Sequence, residues 1–258
     1  MSHHATLWLQ SSSGHADAAN WAVYQESAKR HANRVVRPGL KVEFHAVSET
    51  YPGVDFLDSG LHLVTREVAR NGILAEQRGY AAFVNVSTND AGLPEIREMT
   101  DIPTAFITES AVHLAAQMGA RFGFLTHNPG SRKKMELMTR RYGLGERLVE
   151  GASLEMRYSD FPRIYQDPAS GIAAFSQAAR EVIARGANVI IPAGGPLNMF
   201  FVDHDLRHVD GAPLIDIMAN VIKSAERAID LHALGVPQRG SSMVSPDFKA
   251  RLREIFLR

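Results

Sequence analysis

A chain of 258 residues is long enough to bury a substantial core, either as one large domain or as two smaller ones. Its 28 Lys and Arg residues balance 28 Asp and Glu residues, so no net field draws it to nucleic acid or to an anionic membrane, and a small anionic substrate must be held by local groups. There is no cysteine, which excludes disulfides, thiolate metal sites and a thiol nucleophile.

The N-terminal MSHHATLWLQ has neither a basic start nor a long apolar run. No stretch of about 18 apolar residues occurs, so the expectation is a soluble, cytoplasmic protein with no membrane partner. Residues 6–10 alternate like a strand and then meet Ser11, Ser12, Ser13 and Gly14, read as a turn before a helix over 17–33. A second strand is expected over 40–47, then a loop containing Tyr51 and Pro52. Leu57, Leu61, Val64, Val68 and Ile73 recur at helical spacing up to residue 77.

The run AAFVNVSTNDAGL over 81–93 is the most informative stretch. Ala82, Phe83, Val84 and Val86 have strand propensity, whereas Ser87, Thr88, Asn89 and Asp90 favour turns. It reads as a buried strand opening into a polar site. Pro94 suits the first turn of a short helix because its nitrogen has no hydrogen to leave unpaired. Further strands are expected over 102–107, 121–125, 153–158, 187–192 and 214–217. Thr108, Glu109 and Ser110 are read as caps of a helix starting near residue 111. Helices are expected over 131–142, 169–185, 217–234 and 246–257.

Strands alternating with helices imply a mainly parallel sheet covered by helices, with ligands beyond the carboxyl ends of the strands. Every polar cluster falls at such an end. A second junction, ANVIIPAGGPL over 187–197, matches the first. Two matching junctions suggest one site built by two halves.

In this order the segments resemble the aspartate/glutamate racemase superfamily, most closely its hydantoin-racemase-like branch. AAFVNVSTNDAGL stands where that family has a strand ending in a cysteine. IPTAFITESAVHLAAQMGARFGFLTHN matches a strand, Glu-containing turn, helix and strand. GANVIIPAGGPLNM stands where the second cysteine occurs, and APLID leads into the last core helix. The resemblance covers about residues 7–234. It implies an α/β fold of two similar α/β halves with mainly parallel sheets, helices on both faces and the active site in the cleft between them. The halves implied are 1–106 with 216–236, and 107–215, followed by a C-terminal extension over 237–258. It also implies a homo-oligomer and no cofactor.

In that family two thiols face each other across the substrate α-carbon. Here Ser87 and Gly194 stand at those positions. A serine hydroxyl is too weakly acidic to replace a thiol without an activating partner, and glycine has no side chain. Arylmalonate decarboxylase and maleate isomerase share the scaffold but keep a cysteine, so their mechanisms do not transfer whole.

Ser87, Thr88 and Asn89 can form an oxyanion-holding turn or satisfy their own backbone. Ser87 is also a nucleophile candidate, though no Gly-x-Ser-x-Gly elbow surrounds it. Asp90 is read as a base, as orienting a neighbour, or as a cap of the following helix. Gly194 and Gly195 allow close backbone approach to a ligand, Gln10 and Ser11 end the first strand, and Tyr51 can place a phenol over the site. Glu109 either orients a substrate group or complements a helix N-terminus. His127, with an ordinary pKa near neutrality, is the preferred acid/base, against an exposed loop histidine. His204 and His208 would share a helix face four residues apart, a metal-compatible spacing, against a solvated surface.

The sequence therefore points to a cofactor-independent isomerase or lyase acting on a small carboxylate or cyclic imide-like (cyclic amide) substrate through a stabilised enolate or oxyanion. Its rivals are a hydrolase using Ser87 or an activated water, and a non-catalytic small-anion binding protein.

Overall fold

The computed structural model describes residues 5–14, 18–119, 121–236 and 245–258. It has two compact α/β units. The first gathers the described residues up to 14, with 31–107, 221–236 and 245–258; the second gathers 18–30, 108–119 and 121–220.

The first unit is built on β1 (Ala5–Gly14), β2 (Leu40–Val47), β3 (Ala82–Asn85) and β4 (Thr104–Phe106), in the order β2-β1-β3-β4. All three pairings are parallel, as helical crossovers between strands require. Its core joins Trp8, Val64, Val68, Ile73, Phe83, Ile96 and Phe106. These come from the strands, from α2 (Asp58–Gln77) and from α3 (Leu93–Met99), so the apolar stripe read at helical spacing does cover the sheet.

The second unit has a parallel sheet in the order β6-β5-β7, from β6 (Ala152–Ser153), β5 (Phe122–Thr126) and β7 (Val189–Ala193). A small antiparallel pair, β8 (His208–Val209) and β9 (Ala212–Pro213), lies beside it in sequence. Leu125, Phe161, Phe175, Ile190, Phe200 and Phe201 form its core. Gly171, on α7 (Pro168–Ala184), lets Phe200 approach closely, since a Cβ there would lie 2.8 Å from its ring.

Several expectations change. β1 runs through the serines to Gly14 instead of turning after Gln10, because side chains take over its backbone partners there. The pairing with β2 shifts between Gln10 and Gly14; the Ser12 amide then donates to Ser87 Oγ at 2.6 Å and the Gly14 amide to Thr50 Oγ1 at 2.8 Å. α4 (Ile107–Gln117) starts early, so Thr108, Glu109 and Ser110 lie in its first turn and are not its caps. The strand expected over 153–158 is confined to Ala152–Ser153, and 214–217 supplies only a bridge from Leu214 to Ile190. The two helices unforeseen in the sequence are α6 (Phe161–Gln166) and α8 (Gly195–Asp203). The expected start of α1 at residue 17 lies outside the described residues, which show α1 over Ala18–Val35.

The C-terminal helix α10 (Pro246–Leu257) belongs to the first unit. Arg253 pairs with Glu76, whose other carboxylate oxygen accepts the Ile102 amide at 3.1 Å, and Lys249 pairs with Asp101 at 2.7 Å. Glu76 thereby ties α2, the segment before β4 and α10 together. Among the described residues no helix is long and apolar enough to cross a membrane.

Candidate functional site

At the end of β3 the chain forms a buried polar turn. Asn85 is fully buried; its Oδ1 accepts the Ser87 amide at 2.8 Å and its amide nitrogen donates to the Ala91 carbonyl at 2.8 Å. The Asp90 amide closes the turn on the Ser87 carbonyl at 3.0 Å. Asn89 Oδ1 accepts both the Ser12 hydroxyl at 3.3 Å and the Ala91 amide at 3.1 Å. Thr88, Asn89 and Asp90 are buried, while Ser87 is half-buried. Ser87 is thus the one residue from Ala82 to Gly92 that reaches toward solvent, and its oxygen is engaged by the Ser12 amide.

The capping role offered for Asp90 is corrected. The N-cap of α3 is Gly92, in the left-handed region at φ 78°, and Asp90 itself has φ 46°. Gln10, at the end of the first strand's regular ladder, lies inside the unit. It is fully buried, its Oε1 accepts the Trp8 indole at 2.9 Å and the Asn71 amide at 3.1 Å, and its own amide holds the Ser11 carbonyl at 2.7 Å. It holds the Ser11 carbonyl from behind, and its amide is taken up by Trp8, Asn71 and Ser11. Trp8 is fixed in turn by a stack on His45, with ring centroids 3.4 Å apart. Ser11 is half-buried, with its hydroxyl on the Ser13 amide at 3.0 Å. The Tyr51 ring packs against the core of the first unit, and Glu109 sits half-buried in the first turn of α4.

In the second unit His127 follows β5 and is only 2 % exposed, so it is no loop-surface histidine. Burial pushes its pKa down from 6.5 to about 4, because an imidazolium loses its hydration there. The expected near-neutral acid/base is therefore a neutral imidazole at pH 7. Its tautomer follows from the next residue. Asn128 caps α5 (Pro129–Arg141) by accepting the Ser131 amide on Oδ1 at 2.8 Å. That fixes its NH2 group toward His127 Nε2, 2.7 Å away. Nε2 accepts, so Nδ1 carries the proton.

Nδ1 looks toward the second junction. β7 ends at Ala193, and Gly194 is the N-cap of α8 at φ 132°. A Cβ built on Gly194 would lie 3.6 Å from His127 Nδ1, and one built on Gly195 would collide with the Tyr24 hydroxyl at 2.2 Å. Nothing in the sequence signals this neighbour, since Tyr24 lies on α1, far from residue 195 in the chain. A turn with consecutive glycines was the available hint that another group occupies their side-chain space.

His204 and His208 do not share a helix face. α8 ends at Asp203, His204 is its C-cap, Asp205 turns the chain at φ 51°, and His208 lies on β8. Among the described residues no three His, Asp or Glu side chains gather as metal ligands would.

The model of the Asp/Glu/Hydantoin racemase family matches residues 18–225. Hydantoin racemase from Pseudomonas sp. (strain NS671) is 33% identical over 156 residues, which cover 60% of this chain and 61% of that protein. Hydantoin racemase from Paenarthrobacter aurescens is 27% identical over 151 residues, covering 58% and 62%. The chain thus spans about three-fifths of the length of the curated relatives it matches. Allantoin racemase from Klebsiella pneumoniae superposes with a TM-score of 0.72 at 18% identity, covering 95% of this chain and 98% of that one. That likeness shows the fold.

Proposed function

This chain belongs to the Asp/Glu/hydantoin racemase family, and from that premise we propose that it is a cofactor-independent isomerase that inverts the carbon beside a carbonyl in a small cyclic amide or carboxylate, without a thiol. Relatives named hydantoin racemase support the cyclic amide as the substrate class. The observation that carries the reading is the His127 Nδ1 held 3.6 Å from where a side chain on Gly194 would begin, the position at which the family resemblance places a thiol.

When the α-hydrogen leaves as a proton, taken up by a water molecule bound with the substrate, its electron pair moves onto the adjacent carbonyl oxygen and makes an enolate; a proton returned by water to the opposite face of that carbon, with the electron pair moving back, completes the inversion. An N–H aimed at that oxygen stabilises the charge where it develops, and in a water-poor site one such donor contributes roughly 3 kcal/mol. A neutral imidazole suits this better than an imidazolium, which would give up its proton to the enolate. His127 is therefore proposed as the enolate's hydrogen-bond donor, replacing the acid/base role expected from its ordinary pKa. Gly194 leaves room for the substrate to approach, since a Cβ there would have nothing nearer than His127 Nδ1 at 3.6 Å. In the first unit Ser87 is half-buried, with its oxygen held by the Ser12 amide. Thr88, Asn89 and Asp90 shape its turn.

The test is proton NMR in D2O with single-enantiomer 5-methylhydantoin, allantoin and aspartate in parallel. Loss of the signal of the hydrogen beside the carbonyl, with the ring intact for the cyclic substrates, supports the proposal. A ring-opened N-carbamoyl product instead makes the protein a hydrolase, and binding with neither exchange nor opening makes it a binding protein.

A further inference from the structure

Tyr24 lies on α1, and its ring fills the space that a Gly195 side chain would occupy. A Cβ there would meet the hydroxyl oxygen at 2.2 Å, Cζ at 2.7 Å and Cε2 at 2.9 Å. The phenol is thus laid on the first turn of α8, one residue from the glycine beside His127. The phenol stands where a Gly195 side chain would, and His127 Nδ1 lies within contact of where a Gly194 side chain would begin.

The placement is clamped further along both helices. Asp203, the last residue of α8, accepts the Ser27 hydroxyl at 2.6 Å and the Arg30 guanidinium at 2.9 Å. Tyr24, Ser27 and Arg30 are three residues apart in turn, so they share one face of α1. That face is tied to the end of α8 by Asp203 while Tyr24 covers its start. Tyr165 also donates to Asp203, at 3.5 Å, which backs the clamp with a second phenol.

The Tyr24 phenol holds its proton at neutral pH, since burial pushes it up to about 12. It is therefore a donor. His127 and Tyr24 thus bring one N–H and one O–H to the Gly194–Gly195 turn, the kinds of donor that an oxyanion hole uses.

We propose that Tyr24 is a catalytic residue of this enzyme, donating its hydroxyl hydrogen bond to the enolate oxygen beside the His127 donor, with Asp203 as the positioning residue that sets α1 against α8. This rests on the enolate reading given above. The phenol keeps its own proton throughout: it lends a hydrogen bond to the oxygen as the α-proton passes to water and the C–H electron pair moves onto that oxygen.

The experiment compares wild type, Tyr24→Phe, Gly195→Ala and the double variant. Each is assayed by C5 deuterium exchange on 5-methylhydantoin, and by calorimetric binding of pyrrole-2-carboxylate, a planar ring anion that resembles the enolate. Tyr24→Phe should lower kcat by about 100-fold, the scale of one oxyanion donor, while KM and melting temperature stay near wild type. Its affinity for the planar probe should fall at least about tenfold, for the loss of one hydrogen bond to a charged group. Gly195→Ala displaces the same phenol, so the double variant should be no slower than the slower single variant. Wild-type kcat in Tyr24→Phe, or multiplied losses in the double variant, overturns the role of Tyr24 and leaves the family reaction standing. A wild type that neither exchanges the hydrogen nor binds the probe overturns both.

Discussion

The hydrogen bond from the Ser12 amide to Ser87 Oγ makes Ser87→Ala a test of structure before it is one of chemistry. The ladder between β1 and β3 ends at Gln10 and Asn85, with one further bond from the Val86 amide to the Gln10 carbonyl at 2.9 Å. The pairing with β2 is interrupted in the same place. Ser12 is 3 % exposed, so its amide has no ready water when the Ser87 oxygen is removed. Leaving a buried donor unmade costs about 1–3 kcal/mol. At about 2–4 °C per kcal/mol for a protein of this size, melting should fall by roughly 5 °C. Ser11→Ala is the control, because its hydroxyl serves the amide of half-buried Ser13, and it should cost under about 1 kcal/mol. Thermal unfolding with amide hydrogen exchange reads both, and the Ser12 amide should lose protection only in Ser87→Ala. A Ser87→Ala protein that melts within a degree of wild type, with Ser12 still protected, would refute the assignment of that bond.

Two further outcomes follow from the second unit. Because the native His127 binds its proton with a pKa of about 4 and the unfolded one at 6.5, the unfolded state holds more protons between those values. Its contribution to stability is complete above pH about 6.5 and is lost as the pH falls toward about 4, by roughly 3 kcal/mol in all. Urea unfolding at pH 5 and pH 7.5 should show that loss in wild type, and His127→Gln should flatten it; an equal pH response in both excludes His127 as the source. Gly194 has φ 132°, where an L side chain costs about 1–3 kcal/mol. Gly194→Ala and Gly194→Cys should both be destabilised by that amount in urea, although the nearest side-chain atom leaves ordinary contact space at 3.6 Å. Wild-type stability in either would mean that the backbone there relaxes freely. By the same reasoning, the paired change Ser87→Cys with Gly194→Cys introduces two thiols only at the cost of strain at residue 194.

The strand-to-turn junctions were legible because their residues act locally. Phe83 and Val84 favour a strand, Ser87 to Asp90 favour a turn, and the order of the segments carries the family resemblance. α8 was hidden because its residues from Pro196 to Phe201 are all buried, so it has no polar face to mark a helical period. The extension of β1 through its serines depends on Ser87 and Thr50, which lie far along the chain. His127 was found as a residue but not as a chemical state, since its neutrality comes from burial and its tautomer from the bond between Asn128 and Ser131. Tyr24 needed the fold itself, because only the packing of α1 on α8 brings a phenol to Gly195.

Central to this account is inversion at a carbon beside a carbonyl by a chain that has no thiol. Circular dichroism of enantiopure 5-methylhydantoin, followed with and without the protein, tests it most directly. With the protein present the signal should decay to zero faster than the spontaneous rate, with the ring intact and deuterium at C5 when the solvent is D2O. A signal that decays only at the spontaneous rate, or one that changes with ring opening, would contradict it.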